Sequence, residues 1–326
     1  MKLFLVVMLV VVSTACSQLP HVSDIQEKQK LKVLIVDGQN NHTVWPKATV
    51  MMKAYLEESG LFDVDVYRSK LVWRGETERQ YLERFNSEQH QLVEEPATDS
   101  SFSPDFSQYD VVVSNFGYMA ADWPRSTQVA FESYMRNGGG FVAVHAANNA
   151  FPRWSEFNLM TGIGGWGGRN ERSGPYLYYS PEGRLVRDYS KGDGGAHGTK
   201  HEFQVTMRNE HPIMEGVPDV WMHAKDECYG DLRGPAKNIL VLATALCPEA
   251  EKGTGKHEPI LMVVHYELGR IFHTTLGHQQ ESYESVGFIT TFLRGTEWAA
   301  SGRVTQGAVP SDFPTEDESY VRAFTE

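Results

Sequence analysis

Residues 137–149 read Asn137-Gly138-Gly139-Gly140-Phe141-Val142-Ala143-Val144-His145-Ala146-Ala147-Asn148-Asn149, and this stretch decides the fold class. The run from Phe141 to Val144 is short, apolar and without polar alternation, as a strand buried on both faces is. The glycines before it stop an amphipathic segment, Ser126 to Arg136, whose apolar residues recur at helical spacing. The strand delivers an imidazole, His145, directly at its carboxyl end.

Working upstream, the same unit recurs. Asp110 to Ser114 is a strand ending at Asn115-Phe116-Gly117, and Lys32 to Val36 is a strand running into Asp37-Gly38-Gln39-Asn40-Asn41-His42. Between them, Pro46 to Ser59 has helical periodicity and stops at Gly60, Val64 to Tyr67 reads as a strand, and residues 74–105 are polar surface chain. Strands alternating with helices, and near-continuously apolar, predict a parallel sheet covered on both faces. Downstream lies a glycine-rich excursion, Gly162 to Gly198, of the kind that carries function. Strands are predicted at Glu202 to Thr206 and Ile239 to Thr244. A hairpin joins Ile260–Tyr266 to Arg270–Thr275 through Glu267-Leu268-Gly269, and Val286 to Arg294 forms a closing helix. Residues 301–326 form a polar tail. No internal repeat is present.

The 326 residues, 41% hydrophobic and 22% charged, suffice for one α/β domain with a large core. A formal net charge of −12 argues against nucleic acid or an anionic membrane surface as partner. Met1-Lys2 followed by the apolar run Leu3 to Val12 and by Ser13-Thr14-Ala15-Cys16 reads as an export signal, residues 1–15. The run is too short to span a bilayer core of about 30 Å. Thr14-Ala15-Cys16 resembles the lipobox of bacterial lipoproteins, although Ser13 stands where leucine is usual; the alternative is an ordinary cleaved signal. On the lipobox reading, lipidated Cys16 anchors the chain to the outer or inner membrane, residues 16–30 are a polar tether, and the protein is a periplasmic or cell-surface lipoprotein. Cys228 and Cys247 are then free to pair in an oxidising compartment, a question the spacing leaves open.

Ligands of open parallel sheets bind beyond the carboxyl ends of the strands. Asn41-His42, Asn115, His145 and Gly277-His278 each follow a predicted strand, so they are expected to meet at one edge. Asp226 and Glu227, close to His223, supply carboxylates that orient an imidazole and raise its proton affinity; the competing reading is a loop salt-bridge cluster with Lys225 and Arg233. His145, His278, Asp226 and Glu227 are therefore the catalytic candidates. His42, Asn41, Asn115, Asn148, His223 and Trp166 are the candidates for binding substrate. His197 and His201 have the HxxxH spacing of a zinc-like divalent metal pair, but Gly194, Gly195 and Gly198 work against the helix that spacing needs. Histidines and carboxylates from distant segments are the other route to a metal. Gly162 to Gly167 satisfies GxGxxG without a strand before it or a helix after it. No CxxC or GxSxG motif is present.

Several of these segments, in this order, resemble the ThuA family of trehalose utilisation over Leu31 to Ala300. They are Gly38 to His42, Gly138 to Ala147, Gly194 to Gly198, His211-Pro212-Ile213, Trp221 to Ala236, Leu242 to Ala245, Gly269 to His278 and Trp298-Ala299-Ala300. The resemblance implies a flavodoxin-like, doubly wound, mostly parallel sheet akin to class I glutamine amidotransferases. It also implies a small-molecule carbohydrate substrate, plausibly a sugar oxidised at one hydroxyl. In the glutaminases the strand-end position holds a nucleophilic cysteine, and His145 stands there, which removes the thiolate route and with it glutaminase activity. Cys228 departs from the aliphatic residue expected after Asp226-Glu227. Two functions follow: acid/base or metal-assisted processing of a glycoside or keto-glycoside, or non-catalytic sugar binding on aromatic residues such as Trp45, Trp166, Tyr176, Tyr178 and Tyr179.

Overall fold

The computed structural model describes Met1, residues 29–85 and residues 90–325. The expected signal peptide and nearly all of the tether, including Cys16, lie outside the described residues. Among the described residues, no helix is long and apolar enough to cross a membrane.

The chain runs β1 (Leu31–Gln39), α1 (Trp45–Glu58), β2 (Phe62–Trp73), α2 (Arg79–Leu82), β3 (Gln91–Leu92), β4 (Val111–Ser114), α3 (Arg125–Arg136), β5 (Gly140–Val144) and α4 (Ser155–Thr161). The glycine-rich excursion carries β6 (Tyr176–Tyr179), β7 (Leu185–Asp188) and β8 (Ala196–His197). There follow β9 (His201–Met207), β10 (Val220–Asp226), β11 (Tyr229–Gly230), β12 (Ile239–Leu246), β13 (His257–Tyr266), β14 (Gly269–Thr274), α5 (Gln280–Glu284) and α6 (Val286–Ser301).

One large sheet has the order β10-β9-β12-β13-β14-β5-β4-β1-β2-β3. From β3 to β14 every pairing is parallel. The four pairings from β14 to β10 are all antiparallel. Four reversals restore direction, so β10 points the same way as β14, and its carboxyl end lies at the same edge as those of β1, β4, β5 and β14.

Strand alternation explains the two covered faces. Val33, Ile35, Val111 and Val113 pack with Met51 and Leu56 of α1 and with Phe288 and Phe292 of α6. Leu34, Val36, Val112 and Phe141 pack on the other side with Phe131 and Met135 of α3 and Phe157 and Met160 of α4. The fold is thus the expected doubly wound, flavodoxin-like α/β sheet, with the β13–β14 hairpin leading into its antiparallel wing.

Three differences from the sequence reading have physical causes. α6 runs to Ser301, beyond Arg294, because Thr296, Trp298 and Ala299 still face the core. α4 and β10 were not foreseen: α4 spans only two turns, and in β10 His223 and Asp226 are both buried, which breaks a simple apolar alternation. The polar tail is strapped to the body rather than free. Tyr320 O accepts from Val286 N at 2.9 Å, Phe313 is buried beside Trp221, and Phe324 packs on Tyr55.

Candidate functional site

The parallel half supplies three imidazoles. After β1, Asn40 Oδ1 accepts from His42 N at 3.0 Å and lies 3.1 Å from His42 Nδ1. Asn40 is itself held, since its Nδ2 donates to Asn115 O at 3.1 Å. Gly117 lies so close that a Cβ there would meet Asn40 Oδ1 at 2.2 Å. After β5, His145 takes a left-handed backbone with φ 47° and is buried. Such a conformation is costly for a non-glycine residue and is found where a site demands it. His145 Nδ1 lies 2.6 Å from Thr275 O; a carbonyl only accepts, so Nδ1 carries the proton and the neutral ring's lone pair is on Nε2. After β14, His278 completes a triangle of rings with centroids 4.8, 4.6 and 5.6 Å apart.

The antiparallel wing supplies the carboxylates, and its two adjacent acids have different work. Asp226 is wholly buried and takes bonds from Glu227 N (2.8 Å), Gly277 N (2.9 Å) and His278 N (3.1 Å), with His223 Nε2 at 3.0 Å. It therefore ties the end of β10 to the turn after β14. Glu227 points the other way: its Oε1 lies 3.1 Å from His278 Nε2 and 3.6 Å from His197 Nδ1.

These groups border a cavity of about 370 Å³ lined by Asn41, His42, Tyr118, Asn149, Trp166, His197, Glu227, Tyr229 and His278. His145 lies beneath it, with its ring 4.3 Å from that of Tyr229. The disulfide Cys228–Cys247, with Cα atoms 5.6 Å apart, answers the pairing question and holds the segment between Glu227 and Tyr229. At Gly195, φ is +97° and a Cβ would meet Trp166 N at 2.7 Å, so only glycine lets the excursion bring Trp166 over the cavity.

Burial dominates the electrostatics. It pushes His42 down to about 2 and His278 down to about 3, in each case helped by neighbouring imidazoles, and it lowers His145. All three rings are thus neutral near pH 7. Burial, reinforced by the charge of Asp226, lifts Glu227 up to about 7. Burial alone would raise Asp226 too, but its bond and charge contact with His223 and its other hydrogen bonds hold it below the ordinary carboxylate range.

Of the catalytic candidates, His145, His278 and Glu227 meet at the cavity, and Asp226 lies directly behind them as an anchor. Of the substrate candidates, Asn41, His42 and Trp166 line the cavity. Asn115 is a brace instead, donating to Trp45 O and Thr49 Oγ1, both at 2.9 Å. Asn148 is buried against His273 at 2.9 Å, and His223 is buried behind Asp226. The HxxxH pair is not on a helix. His197 ends β8 at the cavity rim, whereas His201 begins β9 and packs on Phe203, outside the cavity lining.

Lys225 and Arg233 form no cluster with the acids. Arg233 is buried and donates to the carbonyls of Gly174, Ser190 and Gly192, which pins the glycine-rich excursion. The aromatic candidates form no common platform: Trp45, Tyr176 and Tyr179 are buried, Arg guanidinium groups lie over each of the three, and Trp166 alone of the five lines the cavity. Tyr118, Asn149 and Tyr229 were missed. Asn149 and Tyr229 stood within reach of the quoted motifs, one turn after His145 and two residues after Glu227; Tyr118 carried no such signal.

A flavodoxin-like α/β sheet with imidazoles and a carboxylate gathered at its carboxyl edge defines the class. Within that class the chain belongs to the ThuA family, described as trehalose utilisation, which matches residues 32–299; the membership ties it to carbohydrate metabolism. A crystal structure of a ThuA-like protein from Parabacteroides merdae is 42% identical, with a TM-score of 0.79, over 90% of this chain and 98% of that one. A ThuA-like protein from Bacteroides uniformis, 18% identical over 89% of this chain and 98% of that one, shares the fold with a TM-score of 0.52. No curated protein matches the chain.

Proposed function

We propose that the protein is a carbohydrate-processing enzyme that transfers protons on a glycoside or keto-glycoside at the His42–His145–His278–Glu227 cavity. One observation carries this reading: His42, His278 and Glu227, from three separate segments, line one small pocket, and His145 from a fourth lies directly beneath with its ring against those of His42 and His278. Glu227, held up to about 7 chiefly by burial, is suited to both give and take a proton near neutrality.

The carboxylate geometry favours one kind of chemistry. Ordinary glycosidases flank the scissile bond with two free carboxyl groups. Here Asp226 is saturated by three backbone N–H groups and His223, which leaves Glu227 as the one carboxylate lining the cavity among the described residues. A single carboxylate among neutral imidazoles suits removal of the proton on the carbon between a ketone and the glycosidic carbon. A C=C bond forms, the glycosidic C–O bond breaks, and the proton taken up by Glu227 passes to the leaving oxygen, giving an unsaturated keto-sugar and a free sugar. Asn41, Asn149 and Tyr118 supply polar groups for sugar hydroxyls, and Trp166 a flat face for the ring.

The test is to incubate the purified protein with disaccharides and with the same disaccharides oxidised at one hydroxyl, and to follow release of the free monosaccharide and of the unsaturated keto-sugar. Turnover of the keto forms, lost in Glu227→Gln, is expected; no product from either set overturns the proposal.

The export and lipid anchor at Cys16 are likewise proposed. The Cys228–Cys247 disulfide supports them, because such bonds persist in oxidising compartments. The intact mass of protein recovered from the membrane fraction should correspond to a lipidated chain starting at Cys16; an unlipidated mass removes the anchor.

A further inference from the structure

We propose that His42, His145 and Glu227 bind a divalent transition-metal ion of zinc-like preference, at the inner end of the cavity. The inference rests on the same pocket as the carbohydrate reading and deepens it. One ring nitrogen from each histidine and one carboxylate oxygen lie within 4.8 Å of one another.

The orientation of the two rings is the independent observation. His145 is 2% exposed, its Nδ1–H is given to Thr275 O, and its Nε2 meets no hydrogen-bond partner among the described residues. Since Nδ1 is occupied, Nε2 is the atom left for the cluster. His42 shares only the Nδ1 contact, because its Nε2 already has a polar neighbour. Its Nδ1 faces Asn40 Oδ1, and that oxygen is identified because the amide nitrogen of Asn40 donates to Asn115 O. A neighbouring amide, Asn41 Nδ2, whose own oxygen accepts from Tyr118 N, approaches His42 Nε2 at 3.5 Å as a donor. Two imidazoles whose Nδ1 atoms each face a protein oxygen, one with a bare Nε2 and the other with Nε2 met only by a long amide contact that a metal would displace, resemble the outer-layer arrangement that orients metal-binding histidines.

A buried ring nitrogen without a partner is costly unless a ligand meets it. Glu227 is oriented in turn by His278, whose Nε2 lies 3.1 Å from Oε1. Two histidines and one carboxylate are a donor set for zinc and other first-row divalent ions, and they leave coordination positions for water or substrate. At metal–ligand bonds of roughly 2.1 Å, tetrahedral ligand atoms stand about 3.4 Å apart, so small side-chain rotations close the cluster. An ion held there would supply Lewis-acid polarisation of a sugar carbonyl or hydroxyl in the adjoining cavity.

The experiment is titration of chelator-stripped full-length protein with Zn²⁺ alone, in the absence of sugar, followed by calorimetry and by the shift in thermal midpoint. One equivalent bound per chain is expected, with at least tenfold weaker binding in His42→Gln and in His145→Ala and no change in His201→Ala. Failure of the wild-type protein to bind one equivalent overturns the proposal, whatever the variants do. So does binding that His42→Gln and His145→Ala leave intact, with folding of each variant checked by circular dichroism. Zinc bound without turnover of any sugar would sink the carbohydrate reading and keep the metal, whereas sugar turnover by a protein that binds no zinc would do the reverse.

Discussion

The two halves of the sheet build the site by different rules. In the parallel half, each strand presents its carboxyl end to one edge, and the residues after β1, β5 and β14 deliver His42, His145 and His278 there as a direct consequence of topology. In the antiparallel wing successive strands alternate in direction, and only the even number of reversals between β14 and β10 brings Asp226 and Glu227 to that edge. The parallel half positions its histidines by strand ends. The wing has to be fastened, and Asp226 fastens it by accepting backbone N–H groups of the turn after β14.

That contrast predicts opposite behaviour for two neighbouring acids. Glu227→Gln should lower turnover by about 10²–10⁴-fold, the usual share of a proton-transferring group, and leave stability within about 1 kcal/mol. Asp226→Ala should cost roughly 3–5 kcal/mol in urea denaturation, because it strips three buried N–H groups and His223 of their acceptor. If Asp226→Ala unfolds no more easily than Glu227→Gln, the fastening role is lost.

The disulfide sharpens the comparison from the wing side. Cys228 and Cys247 are 19 residues apart, and closing a loop of that size contributes about 3 kcal/mol by restricting the unfolded chain. The double variant Cys228→Ser/Cys247→Ser should melt lower by that amount and be indifferent to reductant, while the wild type should lose the same stability when reduced. Equal melting of oxidised and reduced wild type would count against it.

An effect of similar size, confined to one pH range, sits behind the wing at Glu258 on β13. Burial lifts this carboxyl from 4.5 up to about 7, with Thr254 and Asp231 N as its bonded neighbours and Lys256 nearby. Its folded value is above its unfolded one. The stability tied to its protonated form is therefore complete below about pH 4.5 and is lost as pH rises through 7. The loss should be roughly 3 kcal/mol, and Glu258→Gln should flatten that limb of the pH–stability curve. An unchanged curve for Glu258→Gln would assign the limb to other groups.

How much of this was legible depended on how local the signal is. Phe141 to Val144 announced a buried strand, and its abrupt end at His145 announced a functional edge, because both are properties of a few consecutive residues. His145 and His278 could be placed together from strand ends alone. The division of labour between Asp226 and Glu227 could not, since it depends on which carboxylate faces Gly277 N and which faces the cavity. The HxxxH spacing of His197 and His201 misled for the same reason: a helical period carries meaning only on a helix, and here the residues lie on β8 and β9. Asn115 and Asn148 read as substrate groups by position, yet their amides satisfy buried neighbours that no linear pattern exposes.

Hydrophobic periodicity and turn chemistry in the chain itself determined that this protein folds as a doubly wound α/β sheet with its polar loops at the carboxyl edge. These are short-range preferences, so they are written in order along the sequence. Tertiary structure alone decided which imidazole nitrogens are bonded to protein oxygens and which are left bare. It also decided which acid is sealed in and which lines the cavity. Those outcomes turn on hydrogen bonds between residues up to 130 positions apart, whose partners are chosen only when the sheet has closed around them.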